Sequence, residues 1–248
     1  MNIIIIGAGN MGGAIARGLA ALKDDILIVD KNEQVLSSFK ALGYQTCSEL
    51  GEYELIPRRG ALTILAVKPW LVESVAAQYS SKLSGPLLSV AAGVSVAELK
   101  RFFGDIEIIR CIPNTAVEFG AGVSFLTMAK PNCEVEKLFE RLGTVSHVEQ
   151  NQLDAAMIMG SCGLAFALRY ARAAQVAGVE LGMKPEQGQR VLAGVLRGAA
   201  ALLERGQNPE TEIDKITTPG GVTIKGLNEM ERAGFSNSVI SGHKICKN

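Results

Sequence analysis

Four consecutive isoleucines, Ile3–Ile6, run straight into Gly7-Ala8-Gly9-Asn10-Met11-Gly12, and a helical pattern follows at once. A short apolar run ending in glycine fits a strand buried on both faces. Glycines at Gly-x-Gly-x-x-Gly spacing let the chain turn sharply, leave backbone bare of Cβ, and bring the next helix close to the strand. The N-terminus of that helix offers N–H donors and a favourable dipole to an anion. Asp30 closes the next apolar run, Ile26–Val29, 18 residues past Gly12. A carboxylate there accepts hydrogen bonds from ribose hydroxyls. Strand, glycine turn, helix, strand and acid, in that order, predict a dinucleotide site. The alternative is a glycine turn in the same fold that binds nothing.

The rest of the first 148 residues continues the alternation. Apolar runs at Leu62–Val67, Leu87–Val90, Ile106–Ile109 and Val123–Thr127 read as strands. Helical spacing covers Met11–Leu22, Glu33–Leu42, Leu71–Tyr79, Val96–Phe103 and Glu134–Leu142. This predicts an α/β fold, a Rossmann-type doubly wound and mostly parallel sheet. From Asn151 onward the sequence shows no convincing strand. Leu153, Met157, Leu164, Leu168 and Ala171 keep a helical period, and helices are expected from Pro185, Pro209 and Pro219. The expected domains are 1–149, which binds the dinucleotide, and 150–248, all-helical.

Composition narrows the function. Lys and Arg total 25 against 25 Asp and Glu. Up to residue 150 there are 14 basic and 16 acidic residues, and beyond it 11 and 9, so neither part carries a basic face for nucleic acid. The longest uncharged run of the second part, between Asp154 and Arg169, has 14 residues. That is short of the roughly 20 needed to span a bilayer. Five scattered cysteines and two histidines argue against a metal site or a disulfide framework and for a reducing, cytoplasmic compartment. A C-terminal part rich in Met and Ala with helical glycines is expected to pack against another copy of itself.

Two further strand ends belong beside the glycine turn. Ala66-Val67-Lys68-Pro69 and Ala91-Ala92-Gly93 are small or turn-forming residues. Ligands of doubly wound sheets lie at the carboxyl ends of the strands, and small residues there leave room. Plain strand termination, with Lys68 in solvent and Pro69 starting a helix, is the other reading. Asp30 favours NAD(H) over NADP(H), because a carboxylate repels a 2′-phosphate; Lys31 beside it softens that preference, so NADP(H) stays open.

Gly7–Gly13, Ala66–Pro69, Ala91–Gly93, Arg110–Thr115 and Thr217–Leu227 together resemble the pyrroline-5-carboxylate reductase family, in order and over nearly the whole chain. The resemblance implies reduction of the C=N bond of 1-pyrroline-5-carboxylate to L-proline with hydride from NAD(P)H. It implies a homodimer built on the helical domain, in some members assembled into a ring. It puts Asn114 in the nicotinamide pocket. It gives the carboxylate of a cyclic imine substrate to Thr218, Gly221, Val222 and Thr223, with the Thr223 hydroxyl near the ring nitrogen as the catalytic group. Read from the residues alone, Thr218 and Pro219 also fit a plain helix cap, and Pro113 and Asn114 fit a turn after a strand.

The chain departs from the family at several places. Gly160-Ser161-Cys162-Gly163-Leu164-Ala165 stands where the family shows Ser-Gly-Ser-Gly-Pro-Ala, which predicts a straighter helix without the proline. Val222 replaces a usual Thr or Ala, and the segment after His243 is shorter than in many members. Lys215 is expected either to attract a carboxylate or to be solvated. Cys162 is expected to be a buried small hydrophobe. A related dehydrogenase or imine reductase and a non-catalytic nucleotide sensor are the competing readings. The hydroxyacid dehydrogenases of this architecture are disfavoured, because Leu153–Arg172 contains no lysine.

Overall fold

The computed structural model describes residues 1–51 and 60–247. Eight strands form one sheet: β1 (Ile3–Ile6), β2 (Ile26–Val29), β3 (Gln45–Cys47), β4 (Leu62–Leu65), β5 (Leu87–Ser89), β6 (Ile108–Pro113), β7 (Gly122–Met128) and β8 (Gly143–His147). Their order is β3-β2-β1-β4-β5-β6-β7-β8. Neighbours are parallel except β6 and β7, which run antiparallel with Arg110 opposite Thr127. The order reverses between β1 and β4, the place where such sheets open a crevice.

Strand β1 shows why the core has two layers. Ile3 and Ile5 point into one apolar cluster with Ala14, Ile15, Phe39 and Phe139. Ile4 and Ile6 point into the other, with Val72, Ala76, Leu99 and Phe103. Side chains alternate across a strand, so an unbroken apolar run serves both faces at once. Helices α1 (Asn10–Gly18), α2 (Glu33–Ala41) and α5 (Cys133–Glu140) supply the first cluster; α3 (Val72–Tyr79) and α4 (Val96–Phe103) supply the second. Each of these isoleucines contributes on the order of 2–3 kcal/mol by leaving water. Ser95 and Glu98 form a capping box at the start of α4.

The sheet corrects several expected boundaries. The run read as Ile106–Ile109 is a strand from Ile108 to Pro113. Arg110 therefore lies inside a strand, 7% exposed, where desolvation lowers its pKa and the charges of Asp154 and Glu98 oppose that shift. Pro113 ends the strand rather than following it. Strand β4 stops at Leu65, short of Val67. Helix α1 stops at Gly18, and a 3-10 segment, Ala20–Asp25, covers the rest of the expected helix. Strands β3 and β8 were not expected.

Contacts divide the chain into two compact units, Met1–Ser161 and Cys162–Asn248. Among its described residues the second unit has helices joined by turns and no strand. Helix α6 (Leu153–Met157) closes the first unit and leads into a π-helical turn, Ile158–Cys162, and then α7 (Gly163–Glu180). Further on come α8 (Pro185–Leu203), α9 (Pro209–Ile216), α10 (Val222–Arg232) and α11 (Phe235–Ile245). The straight helix expected from the missing proline is thus replaced by a π turn. The reason lies in the first unit. A Cβ on Gly160 would collide with the Phe125 ring. Asn114 donates its side-chain amide to the Gly160 carbonyl at 3.1 Å, and the Ser161 hydroxyl donates to the Pro113 carbonyl at 3.3 Å. Outside partners hold this stretch away from the regular ladder, a recognised cause of helix irregularity.

Candidate active site

The carboxyl ends of β1, β2, β4 and β5 meet around a cleft of about 790 Å³. Gly7, Gly9, Asn10 and Met11 form one wall, with Asp30 and Lys31 beside them. Ala66, Val67, Lys68 and Pro69 follow β4, and Ala91 and Ala92 follow β5. Ala8, Gly12, Gly93 and Asn114 do not line this cleft. Ala8 and Gly12 are buried behind the turn. Gly93, at φ +76°, sits in the bend after Ala92. Asn114 is 6% exposed and caps the 3-10 helix Thr115–Phe119, its Oδ1 accepting the Ala116 N–H at 3.2 Å.

The three glycines of the turn are required for different reasons. Gly7 has φ +88°, a left-handed conformation that disfavours a side chain. A Cβ on Gly12 would strike the Gly7 carbonyl oxygen, so helix and turn could not close. Gly9 needs neither excuse. Its backbone is extended, φ −68° and ψ −151°, and a Cβ there meets nothing within 4 Å. The protein's own packing leaves Gly9 free to be any small residue. Its bareness leaves the backbone open to close approach from the cleft.

Gly9 is also the N-cap of α1, with no side-chain cap and no acidic residue in the first turn. The helix terminus therefore opens its N–H donors and dipole toward the cleft. Asp30 completes the arrangement. Its Oδ2 accepts the Ala8 N–H at 2.8 Å and its Oδ1 accepts the Asn32 N–H at 2.8 Å. Each oxygen keeps further acceptor capacity, so Asp30 can braces the turn and still take hydroxyl donors. Lys31 pairs with Glu49 at 3.6 Å on the surface. These residues fit a nicotinamide dinucleotide: a bare Gly9, an open helix N-terminus and an acceptor at the ribose position.

Sequence reasoning missed the far wall of the cleft. Ser48 follows the unexpected strand β3, and Leu71, Ser74, Val75, Gln78 and Tyr79 come from the 3-10 turn Pro69–Leu71 and α3. The i, i+4 spacing of Ser74 and Gln78 on an apolar helix was the available signal. Trp70, next to this wall, is 75% exposed.

The second candidate set lies in the other unit. Thr218-Pro219-Gly220-Gly221 is a tight turn: the Gly221 N–H reaches the Thr218 carbonyl at 2.9 Å, and Gly220 has φ +74°. Proline second and a left-handed glycine third are the marks of a type II turn. Thr218 is therefore not the helix cap. Gly221 is, and α10 begins at Val222. A Cβ on Gly221 would lie 2.6 Å from the Thr218 hydroxyl, which would have to shift to admit it. No side chain caps this helix and no acid occupies its first turn. Val222, 85% exposed, and Thr223 both face outward on it. Lys215 is not a free cation; it pairs with Glu212 on α9 at 2.6 Å. Cys162 is half-buried rather than buried.

No cluster of metal-ligating side chains occurs among the described residues. No helix among them is long and apolar enough to cross a membrane.

Two family models match the chain. Residues 150–248 match pyrroline-5-carboxylate reductase dimerisation, and residues 2–93 match NADP oxidoreductase, coenzyme F420-dependent. The pyrroline-5-carboxylate reductase of Aquifex aeolicus is 31% identical, over 97% of this chain and 92% of its own length. Pyrroline-5-carboxylate reductase 1 of Dictyostelium discoideum is 33% identical over 97% of this chain, which spans only 47% of that longer protein. The crystal structure of 1-pyrroline-5-carboxylate reductase from Streptococcus pyogenes superposes with a TM-score of 0.84 at 28% identity, covering 99% of this chain and 96% of that one. The glycine turn, the doubly wound sheet and these matches agree: the chain belongs to the pyrroline-5-carboxylate reductase family.

Proposed function

We propose that this protein reduces the C=N bond of 1-pyrroline-5-carboxylate to L-proline at the expense of NAD(P)H. The observation that carries the reading is Gly9: its missing side chain is needed by nothing in the protein, and it stands at an open helix N-terminus. When bound, the nicotinamide supplies the hydride. The chain's own residues bind, orient and exclude water. Gly7–Gly12 receive the pyrophosphate on the α1 N–H groups. Asp30 accepts the ribose hydroxyls. Ala66–Pro69 and Ala91–Gly93 border the dinucleotide, and Asn114 supports the nicotinamide end.

We assign the substrate carboxylate to the N–H groups of Gly221, Val222 and Thr223, at the uncapped start of α10. The physics is that of an anion at a helix N-terminus, as for the pyrophosphate. The Thr223 hydroxyl is the group offered to the ring nitrogen, and Thr218 shapes the turn behind it. A threonine hydroxyl is a weak acid, so its work is hydrogen bonding to a nitrogen that gains its proton from solvent. Domain 150–248 serves as the dimerisation and substrate domain, and the functional unit is a homodimer. Asp30 makes NAD(H) the preferred cofactor. Five scattered cysteines fit a cytoplasmic setting.

The direct test mixes purified protein with pyrroline-5-carboxylate and either NADH or NADPH and follows nicotinamide absorbance. Oxidation dependent on the imine is expected, faster with NADH. No oxidation with either cofactor rules the activity out. Binding is read separately from Trp70, the single tryptophan. Its position beside the cleft predicts quenching and energy transfer to bound NADH.

A further inference from the structure

The second unit holds a pair of thiols that the proposed chemistry does not use. Helices α7 and α11 meet where the Phe166 and His243 rings pack edge to face, centroids 4.8 Å apart. The Phe166 ring tip lies 3.9 Å from where a Cβ on Gly242 would stand, an ordinary contact distance, so Gly242 lies beside the same ring. Four residues before Phe166 is Cys162, and four residues after Gly242 is Cys246. Residues four apart share a helix face, which carries both cysteines onto the line of contact. The Cys246 thiol lies near enough to Cys162 to raise its pKa. Both are half-buried, and Cys246 also donates to the Gly242 carbonyl at 3.3 Å.

We propose that Cys162 and Cys246 are a redox-active dithiol that closes to an intrachain disulfide. The oxidant is a small disulfide of the glutathione type. One cysteine, as thiolate, attacks a sulfur of the oxidant, forms a mixed disulfide and releases the first small thiol. The second cysteine, as thiolate, attacks the mixed disulfide at the protein sulfur and displaces the second small thiol. One protein S–S bond forms and one oxidant S–S bond breaks. Two electrons pass to the oxidant, and the two protein protons leave with the two small thiols. Desolvation and the neighbouring Cys246 thiol hold Cys162 above the ordinary thiol range. Attack by the Cys162 sulfur is therefore slow at neutral pH and quicker as the pH rises.

The bond would join the end of α11 to the last residue of the π turn, two residues after the Gly160 carbonyl that Asn114 holds. It would close a long loop, removing freedom from the unfolded chain more than from the folded one. Redox state would thus set how firmly the last helix is fastened to the start of α7. The dithiol assignment does not rest on the substrate reading.

The experiment incubates the full chain with oxidised glutathione at mildly alkaline pH, blocks free thiols, and maps tryptic peptides without reduction. The expected product joins peptide 142–169 to peptide 245–247. It disappears with dithiothreitol and is absent in Cys162→Ser and in Cys246→Ser, while Cys133→Ser retains it. Oxidation should raise Tm by about 5–10 °C in the parent protein and in neither of the first two variants. Glutathione retained separately on each cysteine, or a covalent link between two chains, overturns the proposal. A linked peptide with no rise in Tm leaves the disulfide and overturns the fastening of the last helix.

Discussion

Asp30 and Ala8 are 22 residues apart in sequence and are joined at 2.8 Å, carboxylate Oδ2 to backbone N–H. The residue proposed to read the ribose is therefore also a strut of the glycine turn. Asp30→Ala should weaken binding of both nicotinamide cofactors. A hydrogen bond to a charged group contributes about 1.5–3 kcal/mol, so losses of roughly 10- to 100-fold are expected for NADH. The loss for NADPH should be smaller, because relief of repulsion at a 2′-phosphate offsets part of it. Titrations of Trp70 fluorescence check this. Improved NADPH binding with unchanged NADH binding would remove the strut.

Gly9 and Gly12 separate ligand from packing. Gly9→Ala should leave Tm within about 2 °C of the parent protein, since its Cβ meets open space. Cofactor affinity should fall at least about 10-fold by that same intrusion. Gly12→Ala should lower Tm by several degrees, because its Cβ strikes the Gly7 carbonyl. Thermal melts and cofactor titrations of the two variants, run side by side, distinguish the cases. Equal melting losses would refute the assignment of Gly9 to the ligand.

Asn114 is almost fully buried and uses both ends of its amide, donating to Gly160 and accepting from Ala116. Asn114→Ala leaves each of those backbone groups without its partner. The expected destabilisation is about 2–4 kcal/mol, read by denaturant titration. Turnover should fall with it, and Asn114→Asp should not restore the bond to the Gly160 carbonyl, because an ionised carboxylate cannot donate.

Thr223 is exposed on α10. Thr223→Ala should change stability by no more than about 0.5 kcal/mol. It should nonetheless lower turnover or raise KM for the imine, and Thr223→Ser should restore most of either loss. Kinetics of Thr223→Ala that match the parent protein would take this hydroxyl out of the site.

The Arg17 guanidinium forks onto Glu118, with Nε to Oε1 at 2.7 Å and Nη2 to Oε2 at 3.1 Å. Its hydrogen bonds hold the Glu118 carboxyl below its usual value of 4.5. A depressed folded pKa means that the contribution is complete above the unfolded value and is lost as pH falls through the folded one. Glu118→Gln should therefore melt slightly below the parent protein at neutral pH, with the gap closing as the buffer is taken into the acid range. A gap that widens in acid would contradict the pairing.

Much of the first unit was legible because its signals are local. Ile3–Ile6, Ile26–Val29 and the Gly7–Gly12 turn declare strand, strand and turn by short-range pattern alone. The physical cause is burial on both faces, which demands an unbroken apolar run. The sequence by itself also determined that helices follow Pro185 and Pro209; the helix it expected from Pro219 starts at Val222, after a turn. Tertiary structure decided the rest. Gln45–Cys47 and Gly143–His147 have no apolar run; they are strands because a neighbour's backbone supplies their hydrogen bonds. Arg110 reads as the end of a strand by charge, yet it lies inside one, paired with Thr127 across β7. The π turn at Ile158–Cys162 is written by Phe125, Asn114 and Pro113, residues more than 30 positions upstream, so no local pattern could announce it. Even the glycines divide this way. Their spacing fixed the turn, but only the packed fold showed that a Cβ on Gly12 would meet the Gly7 carbonyl while one on Gly9 would meet nothing within 4 Å.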